Sequence, residues 1–112
     1  MAYSLPMDAA LKAISQPRRR QILLLVRKDE LSAGAIAAHF DVTRPAVSQH
    51  LTVLKQAGLV TERRDGTRRL YRARPQALAE LKRFLEGFWD DKLASLKREA
   101  ERKERRRHES RN

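Results

Sequence analysis

Little in this 112-residue chain is equipped for covalent, redox or acid–base chemistry. It has no cysteine, which excludes thiolate nucleophiles, thiolate metal sites and disulfides. Its histidines, His39, His50 and His108, are scattered, and the spacing of a zinc or nickel site is missing. Asp90 and Asp91 are adjacent, but neighbouring residues on a helix point apart, so they make no acid–base pair. The chemistry that remains is hydrogen bonding. Between Arg44 and Gln56, Val47, Leu51 and Leu54 recur at i, i+4 and i+7 and define an inward stripe. At about 100° per residue, the opposite face carries Pro45, Gln49, Thr52 and Gln56, with Ser48 on its flank and Arg44 at its start. Amphipathic helices usually expose lysine and glutamate, and here such residues are nearly absent. Arginine, glutamine, serine and threonine are the side chains that pair with base edges in the major groove of DNA. Lys55 lies nearer the flank, within phosphate range, and His50 adjoins the core in a structural position.

A second cluster is cationic. Arg63, Arg64, Arg68, Arg69, Arg72 and Arg74 surround Asp65-Gly66, with Glu62 and Asp65 the only nearby acids. Asp-Gly between short β-prone runs predicts a hairpin. If those two residues form the turn, Glu62 faces Arg69, Val60 faces Tyr71, and Arg63 faces Arg68. Two opposed arginines repel, and a phosphate between them would remove the conflict.

The elements that position these groups follow from periodicity and caps. A helix is predicted over Met7 to Ile14, and a second from Pro17 or Arg18 to Lys28, with Ile22, Leu25 and Val26 inward and Arg18 to Arg20 exposed. Asp29 to Ser32 reads as a break, and Ser32 caps a short helix reaching Phe40. Thr43 caps the next helix, which has Pro45 in its first turn and stops at Gly58. Strands are expected at Leu59 to Thr61 and Leu70 to Ala73. A long helix runs from Pro75 to Ala100, with Leu78, Leu81, Leu85, Phe88, Trp89, Leu93 and Leu96 as its apolar stripe. The charged remainder is either a helical extension or disordered. The fold class is therefore mainly α with a small β-hairpin, a winged helix-turn-helix over residues 1–100, followed by a charged tail over 101–112.

Charge points the same way. Lys and Arg number 25 against 14 Asp and Glu, a net +11, which suits a polyanionic partner. The longest apolar run, Ile22 to Val26, is too short to cross a bilayer, and Met1 to Leu11 lacks the pattern of a signal peptide, so a cytoplasmic protein is expected. A chain of this length makes a thin core. The apolar stripe of the last helix is too wide for it, and Leu11, Ile14, Leu81, Leu85, Phe88, Trp89, Leu93 and Leu96 are expected at a homodimer interface.

The chain resembles the ArsR/SmtB family of winged-helix repressors. The resemblance rests on Leu5-Pro6 through Lys28, on Leu31-Ser32-Ala33-Gly34-Ala35-Ile36-Ala37, on Thr43-Arg44-Pro45-Ala46-Val47-Ser48-Gln49-His50-Leu51, and on Ala57-Gly58-Leu59-Val60 followed by Arg64-Asp65-Gly66-Thr67-Arg68-Arg69-Leu70-Tyr71. It implies a symmetric dimer built from the first and last helices and bound to a palindromic operator. By position, it implies double-stranded DNA contacts at Arg44, Pro45, Ser48, Gln49 and Thr52, with the hairpin arginines on flanking backbone or minor groove. The chain departs from the family's metal sensors, having no cysteine near Leu31 to Ile36 and no histidine near Asp90 and Asp91 before His108. Neither metal nor other cofactor is expected. Weighed against this reading are a winged-helix module for protein contacts, a repressor answering a small molecule, and RNA binding, which would call for exposed aromatics.

Overall fold

The computed structural model describes residues 5–110, in the order α1 (Met7–Ile14), α2 (Pro17–Lys28), β1 (Leu31–Ser32), α3 (Ala33–Phe40), α4 (Arg44–Gln56), β2 (Val60–Asp65), β3 (Arg68–Ala73) and α5 (Pro75–Ser110). The fold is mainly helical with one small antiparallel sheet, as expected. It divides into two compact units, residues 1–81 and 82–112, with the division inside α5.

The first unit is built around α4. Val47, Leu51 and Leu54 are fully or almost fully buried, and Ile22, Val26, Ile36 and Leu59 are fully buried in the same unit. Burying a side chain of this size contributes about 1.5–3 kcal/mol, so the stripe at i, i+4 and i+7 decides which way the helix faces. Caps set the helix ends. The Ala35 amide donates to Ser32 Oγ at 3.1 Å, and the Ala46 amide to Thr43 Oγ1 at 3.3 Å. After α4, Gly58 takes φ 79°, the Gly58 amide donates to the Lys55 carbonyl, and the Leu59 amide donates to the Leu54 carbonyl, both at 3.0 Å. That is a Schellman closure, and glycine is the residue suited to its left-handed position. The turn between α3 and α4 repeats the pattern on Asp41, at φ 53°.

Several local expectations need correction. Leu31–Ser32 is not a plain break but a third strand, giving the sheet order β1-β3-β2 with Leu31 opposite Tyr71. A two-residue strand has no period of its own to read, and only its partner reveals it. The arginines at the start of α2 are not simply solvated. Arg19 and Arg20 donate to the Lys12, Ala13 and Ile14 carbonyls at the end of α1, and the Arg18 guanidinium lies 5.1 Å from the Phe40 ring centroid. In α2, Leu23 is buried where Leu25 is only half-buried.

In the second unit α5 continues as helix to Ser110, beyond the expected end at Ala100. Phe88, Trp89, Leu93 and Leu96 are all more than half exposed along it.

Candidate nucleic-acid interface

Packing Val47, Leu51 and Leu54 inward turns Arg44, Pro45, Ser48, Gln49, Thr52, Lys55 and Gln56 outward, and all seven are exposed. The side chains of Arg44 and Gln49 make no hydrogen bond or ion pair among the described residues, so their donors and acceptors are available to a ligand. Thr52 is different. Its hydroxyl donates to the Ser48 carbonyl at 2.9 Å, leaving its lone pairs and its methyl to face outward. His50 is half-buried on the other flank. Burial, then the charges of Arg19 and Arg18, lower its pKa, which keeps it neutral and fits a packing role.

The hairpin stands beside this helix, in a register the sequence misplaced by two. Glu62 lies opposite Tyr71, Arg63 opposite Leu70, Arg64 opposite Arg69, and Asp65 opposite Arg68. The two loop residues are Gly66, at φ 66°, and Thr67, not Asp65 and Gly66. Glycine first in a two-residue loop is the order of a II′ turn. The facing arginines are consequently Arg64 and Arg69, and Arg63 is not opposed to Arg68.

Three acids organise the cations. Glu30, from the segment joining α2 to β1, takes Arg63 through both carboxylate oxygens, with Arg63 Nη2 at 2.6 Å. That hydrogen bond lowers the Glu30 pKa and raises that of Arg63. Asp65 lies 3.4 Å from Arg68. Glu62 meets Lys55 Nζ of α4 at 3.3 Å and Arg69 Nε at 3.8 Å. Burial works to raise the Glu62 pKa, and the donors around it, Lys55 first and then Tyr71 and Arg69, bring it below its ordinary value. Glu30 escaped the sequence reading because it lies 33 residues from Arg63. No local spacing rule joins them. The Arg64 side chain has neither ion pair nor hydrogen bond among the described residues.

Between helix and hairpin runs a groove. One part, about 480 Å³, is lined by Ser48, Thr52 and Lys55 on the helix and by Glu62, Arg69 and Tyr71 on the sheet. The other, about 690 Å³, reaches from Arg44 and Gly34 to Thr67 and Arg68 at the hairpin tip. The expected binding residues of the first unit are thus arranged on one helix face and the adjoining hairpin. Leu81, expected at a dimer interface, is already buried in the single chain, and Leu11 and Ile14 are half-buried. Among the described residues no cluster of three or more His, Asp or Glu could hold a metal ion. The side chains of Asp91 and His108 lie outside those described.

Two helices joined by a tight turn, the second with an exposed polar face and a basic hairpin beside it, define a winged helix-turn-helix. The family described as "Bacterial regulatory protein, arsR family" matches residues 16–62. HTH-type transcriptional regulator Rv2034 of Mycobacterium tuberculosis is 45% identical over 82 residues, which span 73% of this chain and 77% of that protein. Transcriptional repressor SdpR of Bacillus subtilis is 45% identical over 60 residues, 54% of this chain and 67% of the repressor. The solution structure of the homodimeric winged helix-turn-helix DNA-binding domain Mb0332 from Mycobacterium bovis, a possible ArsR-family regulator, superposes with a TM-score of 0.60 at 34% identity. That match covers 81% of this chain and 92% of that domain. This chain belongs to the arsR family of bacterial transcriptional regulators.

Proposed function

We propose that this protein is a repressor that binds a palindromic operator in double-stranded DNA as a homodimer and carries out no catalysis. The observation that carries this reading is the outer face of α4, where Arg44, Ser48, Gln49 and Thr52 offer donors and acceptors to base edges and hardly a charge. Lys55, Arg63, Arg64, Arg68 and Arg69 hold the backbone on either side, and Pro45 packs against the sugar-phosphate edge. Arg64 meets phosphate unencumbered, whereas Arg63 does so in competition with Glu30. Residues 1–100 form the binding and pairing domain, and 101–112 a charged tail. The relatives' names support repression and pairing, since one is a repressor and another a homodimer. No described helix is long and apolar enough to cross a membrane, which agrees with action on the chromosome in the cytoplasm. No metal or organic cofactor takes part.

The experiment is selection of duplexes from a random-sequence pool by the full-length protein. A two-fold symmetric consensus, bound at least about a thousandfold more tightly than random DNA, is the expected result. Enrichment of no sequence would overturn the reading.

A further inference from the structure

Glu62 is a carboxylate placed where a polyanion is to bind, which is electrostatically unfavourable unless the group does something there. Its surroundings show what that is. The side chain is 21% exposed at the base of the groove, whereas Lys55 and Arg69 above it are 52% and 60% exposed. One oxygen takes Lys55 from α4, and the other faces Arg69 from β3. β2 is an edge strand, paired only with β3, and its last buried residue is Val60. Because side chains alternate along a strand, Glu62 is the next residue on the side that faces α4. Beyond it only Arg64 follows on that side before the tip, and the Arg64 side chain has no ion pair or hydrogen bond among the described residues. Glu62 is therefore the outermost tie between helix and hairpin.

We propose that Glu62 is a specificity-determining positioning residue: by holding Lys55 of α4 and Arg69 of the hairpin together, it fixes the spacing between the two DNA-contacting elements and withholds both cations from indiscriminate phosphate contact. This rests on the DNA-binding reading above. A protein whose cations are all free binds any duplex through counterion release, and sequence discrimination suffers. A pair that opens only where the correct geometry offers a better phosphate partner gives that contact to the right site and withholds it from the wrong ones.

The test compares the full-length wild type with Glu62→Gln and Glu62→Asp, on a duplex that the wild type selects from a random pool and on a random-sequence duplex of equal length. Thermal unfolding of each protein is followed in parallel. Glu62→Gln should bind the random duplex about three- to tenfold more tightly, and its log–log salt dependence should steepen by about one to two as Lys55 and Arg69 are released. The ratio of selected to random affinity should fall roughly tenfold. Glu62→Asp keeps the charge but lacks the reach to hold both partners, and its ratio should fall as well. Should Glu62→Gln not fold, Glu62→Asp carries the same test. Unchanged ratios in both variants overturn the proposal, and so does a wild-type ratio in Glu62→Asp beside a reduced one in Glu62→Gln, which would assign the effect to charge alone. If the wild type enriches no sequence, the DNA-binding reading fails first and this proposal with it.

Discussion

Gln49 has an exposed amide with no internal partner, on the helix face turned away from the core. Its removal should cost about 1–3 kcal/mol on the selected duplex and almost nothing on random DNA, measured by titration of Gln49→Ala against both. Equal losses on the two duplexes would show that it reads no base. Asp41 is the one non-glycine residue with positive φ among those described. Asp41→Gly should therefore be neutral or stabilising by up to about 1 kcal/mol in urea unfolding, because the strain removed offsets the added freedom of the unfolded chain. His50 yields a pH prediction. Its pKa is lowered in the fold, so between the lowered value and about 6.5 the unfolded chain binds more protons than the folded one. The full stability is present above about pH 6.5 and falls as pH drops below it. His50→Gln should flatten that part of the stability–pH curve.

The hairpin is the element whose cations differ most in availability. Arg63 is gripped by Glu30 through both oxygens, Arg68 and Arg69 are partly neutralised, and the Arg64 side chain has no ion pair or hydrogen bond among the described residues. Arg64→Ala should accordingly flatten the log–log salt dependence of DNA binding by about one, and Arg63→Ala by less. A larger effect at Arg63 would mean that the Glu30 pair opens on DNA at little cost. The helix-turn-helix itself was legible from Ser32, Thr43, Pro45 and Gly58, because caps act over three or four residues and need no distant partner. The hairpin was legible as a hairpin but not in its register. Asp65-Gly66 and Gly66-Thr67 are both acceptable loop pairs by composition, and the choice between them falls to contacts outside the loop. Placing Gly66 first leaves Val60 opposite Ala73, both buried against the rest of the first unit.

At the scale of the whole molecule, the open matter is what covers α5. Phe88, Trp89, Leu93 and Leu96 are each between 53% and 66% exposed, an apolar stripe that a monomer in water leaves uncovered. A two-fold partner is the commonest means of burying such a surface, and it would set two α4 helices about one DNA turn apart, roughly 34 Å. Trp89→Glu with Leu93→Lys should give monomers by light scattering at micromolar concentration, with loss of tight binding to the palindrome. A wild-type monomer that still binds a palindrome tightly would rule the dimer out. Operator affinity should also be indifferent to stoichiometric zinc. A tenfold change would direct attention to Asp90, Asp91 and His108.

The sequence by itself determined the helices, their caps, the inward stripe of α4 and hence its outward face, all properties of residues within about two helical turns of one another. It also determined the class of partner, through an arginine excess too large for its few acids. Tertiary structure decided the third strand, the hairpin register, the capping of α1 by Arg19 and Arg20, and the division of the cations between acids and solvent. Glu30 reaches Arg63, and Lys55 reaches Glu62, only because the sheet is docked on the helices. Such pairings depend on which surfaces meet, and local spacing carries no information about that.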